Sequence, residues 1–384
     1  MNAMVGGQMR RVLYLSGTRA DFGLMRTALQ RAAAHPALDV EVVATGTHLS
    51  PSHGHTVDEI RAAGLSVSAE IPIDVTTRTT ASMASGVGEC LQGMTRVLAQ
   101  RRPDVLLLLG DRGEMLAGAI AALHMGVPTV HVHGGERSGT VDEPVRHAIS
   151  KLSTWHLVAT DESAGRLQRM GEEPARIWVV GAPGLDGLTE LANGTREDAL
   201  AALGLAPGTS FVLAVFHPVV QQADQARVQT AELMTTLNHL GLAVVWLEPN
   251  ADAGARGVLQ ALDEGVLPRG SLRVRHLDRA LFARAMRHAA VMVGNSSAGI
   301  IEAASFGTPV VNVGDRQRLR ERNANVVDVP PEASALSTAL DQALRHGRFE
   351  AINCYGDGQA GPRIVDRLVQ LPLDASFLEK ANAY

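Results

Sequence analysis

At 384 residues the chain exceeds the roughly 250–300 residues that one hydrophobic core usually supports, so two domains are expected. With 46% hydrophobic and 20% charged residues and a net charge of −5, it reads as an ordinary globular chain, and nothing recommends nucleic acid or an anionic membrane as a partner. Cys90 and Cys354 are too few for a disulfide framework and lack companions at metal-ligand spacing, which points to a reducing, cytoplasmic setting.

Residues up to about Gln8 read as a leader outside the fold. The VLYL that follows is too short for the centre of a signal peptide, and no run approaches the roughly 18 apolar residues of a membrane span. Short apolar runs then alternate with amphipathic helical windows. In the first half the predicted strands are RVLYL (11–15), DVEVVAT (39–45), DVLLLL (104–109), TVHVH (129–133) and WHLVA (155–159). The second half restarts with FVLAVF (211–216), LAVVWL (242–247), LRVRH (272–276), AVMVG (290–294) and PVVNV (309–313). This rhythm predicts an α/β fold of two Rossmann-like, doubly wound parallel sheets, each covered on both faces. The Gly- and Pro-punctuated RIWVVGAPGLDGL at 176–188 marks the crossing, with a hinge near 181–195. The expected domains are 9–185, carrying the acids and bases, and 186–368, with a C-terminal helix over 369–384 packing back on the first. Ligands of such sheets bind beyond the carboxyl ends of the strands, so two facing sheets make one shared cleft.

The strand ends carry the chemistry. SGTRADFG leaves the first strand through Gly17 and Thr18 into a helix start, where free amides and the helix dipole seat an anion and Arg19 adds a planar fork for phosphate oxygens. Asp21 is expected to order this loop. The stretch is no G-x-G-x-x-G fingerprint, so no nicotinamide cofactor is indicated. LLLLGDRGEM delivers Asp111 and Arg112 from a buried run, a pair that by itself reads equally as a salt bridge. HVHGGERSGTVDEPVRHAISK (131–151) turns through Gly134 and Gly135, presents Glu136, and follows with Asp142, Arg146 and His147. His131, His133, Glu136 and His147 are also potential metal ligands, but the surrounding carboxylates and arginines fit paired acids and bases better than a closed cage.

In the second half FHPVV offers His217 and LEPNADAG offers Asn250 at successive strand ends. VGNSSAGIIEAASFGTP is a strand, a turn and a helix start, where Ser296 and Ser297 cap the helix and leave amides for a diphosphate, with Glu302 beyond them for ribose hydroxyls. No G-x-S-x-G elbow surrounds these serines, which argues against a serine nucleophile.

Taken in order, GTRADF, LGDR, HGGERSGTVDEPVRHAISKL, FHPV, PNADAG, GNSSAGIIEAASFGTPVVNVGDRQ and YGDG resemble the hydrolysing UDP-N-acetylglucosamine 2-epimerases of sialic acid synthesis. The resemblance runs over roughly residues 11–370, and the block at 131–152 is its most specific part. The first loop and the acidic loop differ from the GTRPE and EAGLR of the non-hydrolysing relatives. A sister group with the same motifs acts on UDP-N,N′-diacetylbacillosamine on the way to legionaminic acid.

The resemblance implies a glycosyltransferase-B-like pair of sheets, uridine diphosphate held mainly by the C-terminal domain, no metal or other cofactor, and a homodimer or homotetramer. It implies anti elimination of UDP to a glycal, then hydration with inversion at C2, giving N-acetylmannosamine and UDP. Asp111, Glu136 and Asp142 take the acid and base roles, with His217 beside them. Arg19, Ala20, Arg112, Asn250, Ser296, Ser297, Glu302 and Arg316 meet the nucleotide, His48 approaches the sugar, and His276 is a further contact. A glycosyltransferase of the same architecture is disfavoured by the acid-rich first domain, and a non-catalytic sensor by the presence of all three carboxylates. The apolar helix windows around 80–100 and 112–126 read equally as a subunit interface or as part of the cover buried against the sheet.

Overall fold

The computed structural model describes residues 9–77, 79–138, 141–250, 252–372 and 379–383. The first apolar run becomes β1 (Arg10–Ser16), followed by β2 (Leu38–Thr45), β3 (Ser66–Ile71), β4 (Val105–Leu109), β5 (Thr129–Val132), β6 (Trp155–Val158) and β7 (Ile177–Val179). These pair in parallel in the order β3-β2-β1-β4-β5-β6-β7 and define the N-terminal lobe. A second sheet, the C-terminal lobe, is built from β8 (Phe211–Val215), β9 (Ala243–Leu247), β10 (Leu272–Val274), β11 (Val291–Gly294), β12 (Val310–Val313) and β13 (Val326–Val329). Its order, β10-β9-β8-β11-β12-β13, repeats the winding of the first, again all parallel.

The central strands read as unbroken apolar runs because both of their faces are covered. Along β1, Val12 and Tyr14 enter one core layer while Leu13 and Leu15 enter the opposite one. Val212 and Ala214 divide from Phe211, Leu213 and Val215 in the same way along β8. Each such fully buried Leu or Val contributes about 1.5–3 kcal/mol relative to exposure, which makes a register slip costly.

Three strands fall outside the expected set, namely β3, β7 and β13, and all three are sheet edges. Their residues are largely half-buried or exposed, so no continuous apolar run marks them. The fourth edge, β10, stops at Val274, short of the expected His276.

At the crossing, Asp186 accepts from the backbone N–H groups of Ala360, at 2.8 Å, and Gly361. This starts a helix, Ala360–Gln370, which returns to the N-terminal lobe and puts Ile364, Leu368 and, just beyond its end, Leu371 into the same core layer as Tyr14 and Phe22. Of the helix expected over 369–384, residues up to Gln370 are helical and 379–383 are irregular. Residues 373–378 and 384 lie outside the described residues, as do 1–8, where the leader was expected. Among the described residues no helix is long and apolar enough to cross a membrane.

Candidate active site between the two sheets

Strand order reverses between β1 and β4 in one sheet and between β8 and β11 in the other, and the loops leaving these strands carry the polar groups. After β1, Thr18 caps the helix Arg19–Ala33, and Asp21 closes the capping box. The Asp21 carboxylate accepts from the backbone of Gly17 at 2.9 Å and Thr18 at 2.7 Å and from the Ser16 hydroxyl, so it orders the loop as expected. His48 was expected to approach the sugar. It is fully buried, with Nε2 2.9 Å from Ser16 Oγ and Nδ1 2.8 Å from Thr56 Oγ1, and it props the loop from beneath. Gly46 allows this approach, because at φ +60° a Cβ there would stand 2.4 Å from the Gly17 carbonyl oxygen. Arg19 donates from Nε to Glu59 at 2.8 Å, and Ala20 lies exposed beside it.

The N-terminal lobe supplies the acids. Gly110, at φ +79°, turns the chain out of β4 and presents Asp111 and Arg112. At the end of β5, His133 sits at φ +62°, a left-handed conformation that costs a residue with a Cβ about 1–3 kcal/mol and is typical of functional loops. It leads into the turn that delivers Glu136. The helix Asp142–Leu152 then carries Asp142 and, four residues on, Arg146. Arg146 is 1% exposed and donates to the His133 carbonyl at 3.0 Å, to Glu136 Oε2 at 3.4 Å and to Asp111.

The other histidines of the block have local partners. His131 spans Gly110 O at 2.7 Å and Ser150 Oγ at 3.0 Å, and burial pushes its pKa down to about 3, so it is a neutral strut. His147 Nε2 lies 3.6 Å from Glu143, on its own helix.

The C-terminal lobe supplies mostly donors. Asn295 clasps the His217 backbone from both sides, at 2.7 and 2.8 Å, tying the loop after β11 to the loop after β8. The Asn250 backbone N–H donates to His217 Nδ1 at 3.2 Å, which leaves the ring proton on Nε2. Burial and the nearby Arg316 push the His217 pKa down to about 3, so it faces the crevice as a neutral donor. Arg316 and Gln317 both donate to the Asn295 carbonyl at 3.2 Å. Ser296 caps a helix of only 5 residues, Ser297–Ile301, with its Oγ 3.3 Å from the Ala298 nitrogen. Glu302 is 4% exposed and pairs with Arg279, which also donates to the Gly184 carbonyl at 2.6 Å near the crossing. His276 lies exposed in the loop after β10.

Charged contacts cross the crevice between the lobes. Arg112 reaches Asp252 Oδ1 at 3.3 Å, and Arg320 pairs with Glu136. Burial alone raises the Glu136 pKa, but Arg320, His133 and Arg146 outweigh it and hold the carboxyl well below the ordinary range. Asp142 goes the other way: burial and the neighbouring Asp111 charge raise its pKa against the opposing pull of Arg316. Asp111, Arg112, Glu136, Asp142, His217, Asn250 and Arg316 are therefore brought to one crevice, whereas His48 lies under a loop and His276 lies at the surface.

Sequence reasoning missed Asp252 and Arg320 and assigned Arg146 no role. The spacing of Asp142 and Arg146, one helical turn apart, was a usable signal for Arg146. Arg320 stands among Arg316, Arg318 and Arg322 at alternate positions, and nothing local distinguishes it.

Comparison with known proteins gives the family and the fold. Residues 30–369 match the family model described as UDP-N-acetylglucosamine 2-epimerase. A hydrolysing UDP-N,N′-diacetylbacillosamine 2-epimerase of Legionella pneumophila is 45% identical over 98% of this chain and 100% of its own length. A UDP-N-acetylglucosamine 2-epimerase of Neisseria meningitidis is 32% identical over 91% of this chain and 92% of its own. Among solved structures, UDP-GlcNAc 2-epimerase from N. meningitidis bound to UDP-GlcNAc aligns with a TM-score of 0.78 at 18% identity, covering 94% of this chain and 100% of that one. The Methanocaldococcus jannaschii enzyme in complex with UDP-GlcNAc and UDP aligns at 0.76 and 18% identity, over 94% and 99%. These two share the fold, a glycosyltransferase-B-like pair of parallel-sheet lobes. With a family model spanning most of its length and a relative 45% identical end to end, the chain belongs to the UDP-N-acetylglucosamine 2-epimerase family.

Proposed function

We propose that the chain is a hydrolysing 2-epimerase of a UDP-linked 2-acetamido sugar. The supporting observation is a single crevice in which arginines from both lobes surround two carboxylates driven in opposite directions, Glu136 towards the charged form and Asp142 towards the protonated form. Pairs of carboxyls separated in this way divide into base and acid.

In the first step the bond from C1 to the diphosphate oxygen breaks and Glu136 takes the C2 proton, leaving a C1=C2 double bond. Arg112, Arg316 and the Nε2 proton of His217 line the crevice where charge builds on the departing UDP. In the second step water adds its oxygen to C1 while Asp142 delivers a proton to the opposite face of C2. Asp111, tied to Arg146, receives the proton released by the water. The free sugar carries the inverted C2 centre, and UDP leaves. Arg19, Ala20, Asn250, Ser296, Ser297 and Glu302 remain proposed nucleotide contacts, and Glu302 must loosen its hold on Arg279 to serve.

For the sugar, UDP-N,N′-diacetylbacillosamine takes first place because the relative named for it is 45% identical, against 32% for the relative named for UDP-N-acetylglucosamine. The second reading is UDP-N-acetylglucosamine, giving N-acetylmannosamine. Turnover of both nucleotide sugars in heavy water tests the proposal. UDP release with one deuteron at C2 of the product is expected, faster for the diacetylated sugar; a product keeping its original hydrogen at C2 overturns the mechanism. Glu136→Gln is expected to lower turnover by about 10²- to 10⁴-fold with UDP affinity nearly intact. Association into a dimer or tetramer belongs to the same proposal. The helix Gly113–His124 is largely buried beneath the helix Thr80–Arg101, so the outer face of the latter is the surface open to a second subunit.

A further inference from the structure

We infer that Arg320 is a positioning residue of the reaction: reaching from the C-terminal lobe, it holds the Glu136 carboxylate in its aim, so that proton abstraction is enabled only when the two lobes are closed. The inference rests on the reading of Glu136 as the base at C2.

The geometry is that of a clasp. The Arg320 side chain is 8% exposed and its partner Glu136 is 3% exposed, so the contact is shielded from water, where an ion pair is worth far more than at a surface. The next residue, Glu321, is also fastened across the crevice, accepting from the Thr160 hydroxyl at the end of β6. Behind it, Tyr355 donates to the Glu321 carbonyl at 3.0 Å. Arg322 then stiffens the loop from within, donating to the Arg320 carbonyl at 2.8 Å and to the Gln317 carbonyl at 2.6 Å. Arg318, by contrast, points to solvent with Asp315, 64% and 54% exposed. Among four alternating arginines, the loop therefore commits this one to the acidic lobe.

A second observation marks the place as built for a ligand. Arg320 Nε, Arg146 Nε and His133 Nε2 are all buried with no hydrogen-bond partner among the described residues, and all three belong to side chains that contact Glu136. Three unpartnered buried nitrogens around one carboxylate are costly unless a polar molecule fills the space. The charged and titratable groups facing Glu136 are His133 and Arg146 from its own lobe, and Arg320, Glu321, Cys354 and Tyr355 from the other. Asp111 acts on it through Arg146. Of these, Arg320 is the cation that leaves when the lobes part. Opening removes that cation from the carboxylate, and closing restores it.

The test combines Arg320→Met, Arg320→Lys, Glu136→Gln and the Glu136→Gln/Arg320→Met double variant. Without ligand, the melting temperature of the double variant is expected to fall by less than the sum of the two single losses; additive losses overturn the pairing. In turnover, Arg320→Met is expected to lower kcat by about 100-fold with UDP affinity nearly unchanged. Its acidic limb of kcat/KM should move to higher pH, because a base without its cation titrates at a higher pKa. Arg320→Lys should recover part of both. An acidic limb that stays at its wild-type pH, or UDP affinity falling in step with kcat/KM, overturns the assigned role. Should the wild-type protein release UDP from neither nucleotide sugar, the proposed reaction falls and takes that role with it, while non-additive melting would leave the cross-lobe contact standing.

Discussion

Arg112, at the carboxyl end of β4, lies 3.3 Å from Asp252 Oδ1 in the opposite lobe and 3.5 Å from Glu114 in its own. A cation held between two carboxylates at the mouth of a crevice is preorganised for an anion that enters there, because the protein has already placed it. Charge-assisted hydrogen bonds of this kind are worth about 1.5–3 kcal/mol, so Arg112→Met is expected to weaken UDP binding by roughly 10- to 100-fold in a calorimetric titration. An unchanged affinity would place the diphosphate elsewhere.

Asp142 sets stability against chemistry. Its folded-state pKa lies above the unfolded value because burial and Asp111 disfavour its charge. The folded chain therefore binds that proton more readily, and stability falls as pH rises from about 3.9, the ordinary aspartate value, through the raised one. Asp142→Asn removes the buried charge. It is expected to raise the melting temperature near pH 7, to lose that advantage at about pH 4, and to lower turnover by at least 10²-fold. Melting curves at the two pH values check the first part, and a variant less stable than wild type at neutral pH would contradict it.

Lys380 ties the C-terminal segment to the helix that carries Asp142 and Arg146. Its ammonium donates to the carbonyls of Ser150, Lys151 and Ser153 at 3.0, 2.8 and 2.7 Å, and pairs with the fully buried Glu172 at 2.6 Å. His156 and Lys151 also reach Glu172, at 2.8 and 2.7 Å. Lys380→Met leaves three helix-end carbonyls without that donor, but Lys151 still pairs the carboxylate. The expected loss is about 3 kcal/mol in urea unfolding, the low end for breaking a buried ion pair. A loss near zero would show that the segment is not anchored through this lysine.

Much of this protein is legible in its sequence, and the reason differs by element. The central strands were legible because two covered faces leave every residue apolar, as in Val105–Leu109, whereas the edge strands β3, β7 and β13 lack that mark because one side of each is open. Asp111, Arg112, Glu136, His217 and Asn250 were legible because polar residues at the carboxyl end of a buried strand have only the crevice to enter. The surroundings of His48 were not legible, since its position just after β2 says nothing of the Ser16 and Thr56 hydroxyls that enclose it.

By itself, then, the order of residues determined the two wound sheets and the edge on which the acids emerge, because hydrophobic periodicity and strand-end turns act over a few neighbouring positions. Which cation meets which carboxylate was decided only in three dimensions. Arg320 and Glu136 stand 184 residues apart, and no local pattern records a contact between side chains that different lobes bring together away from water.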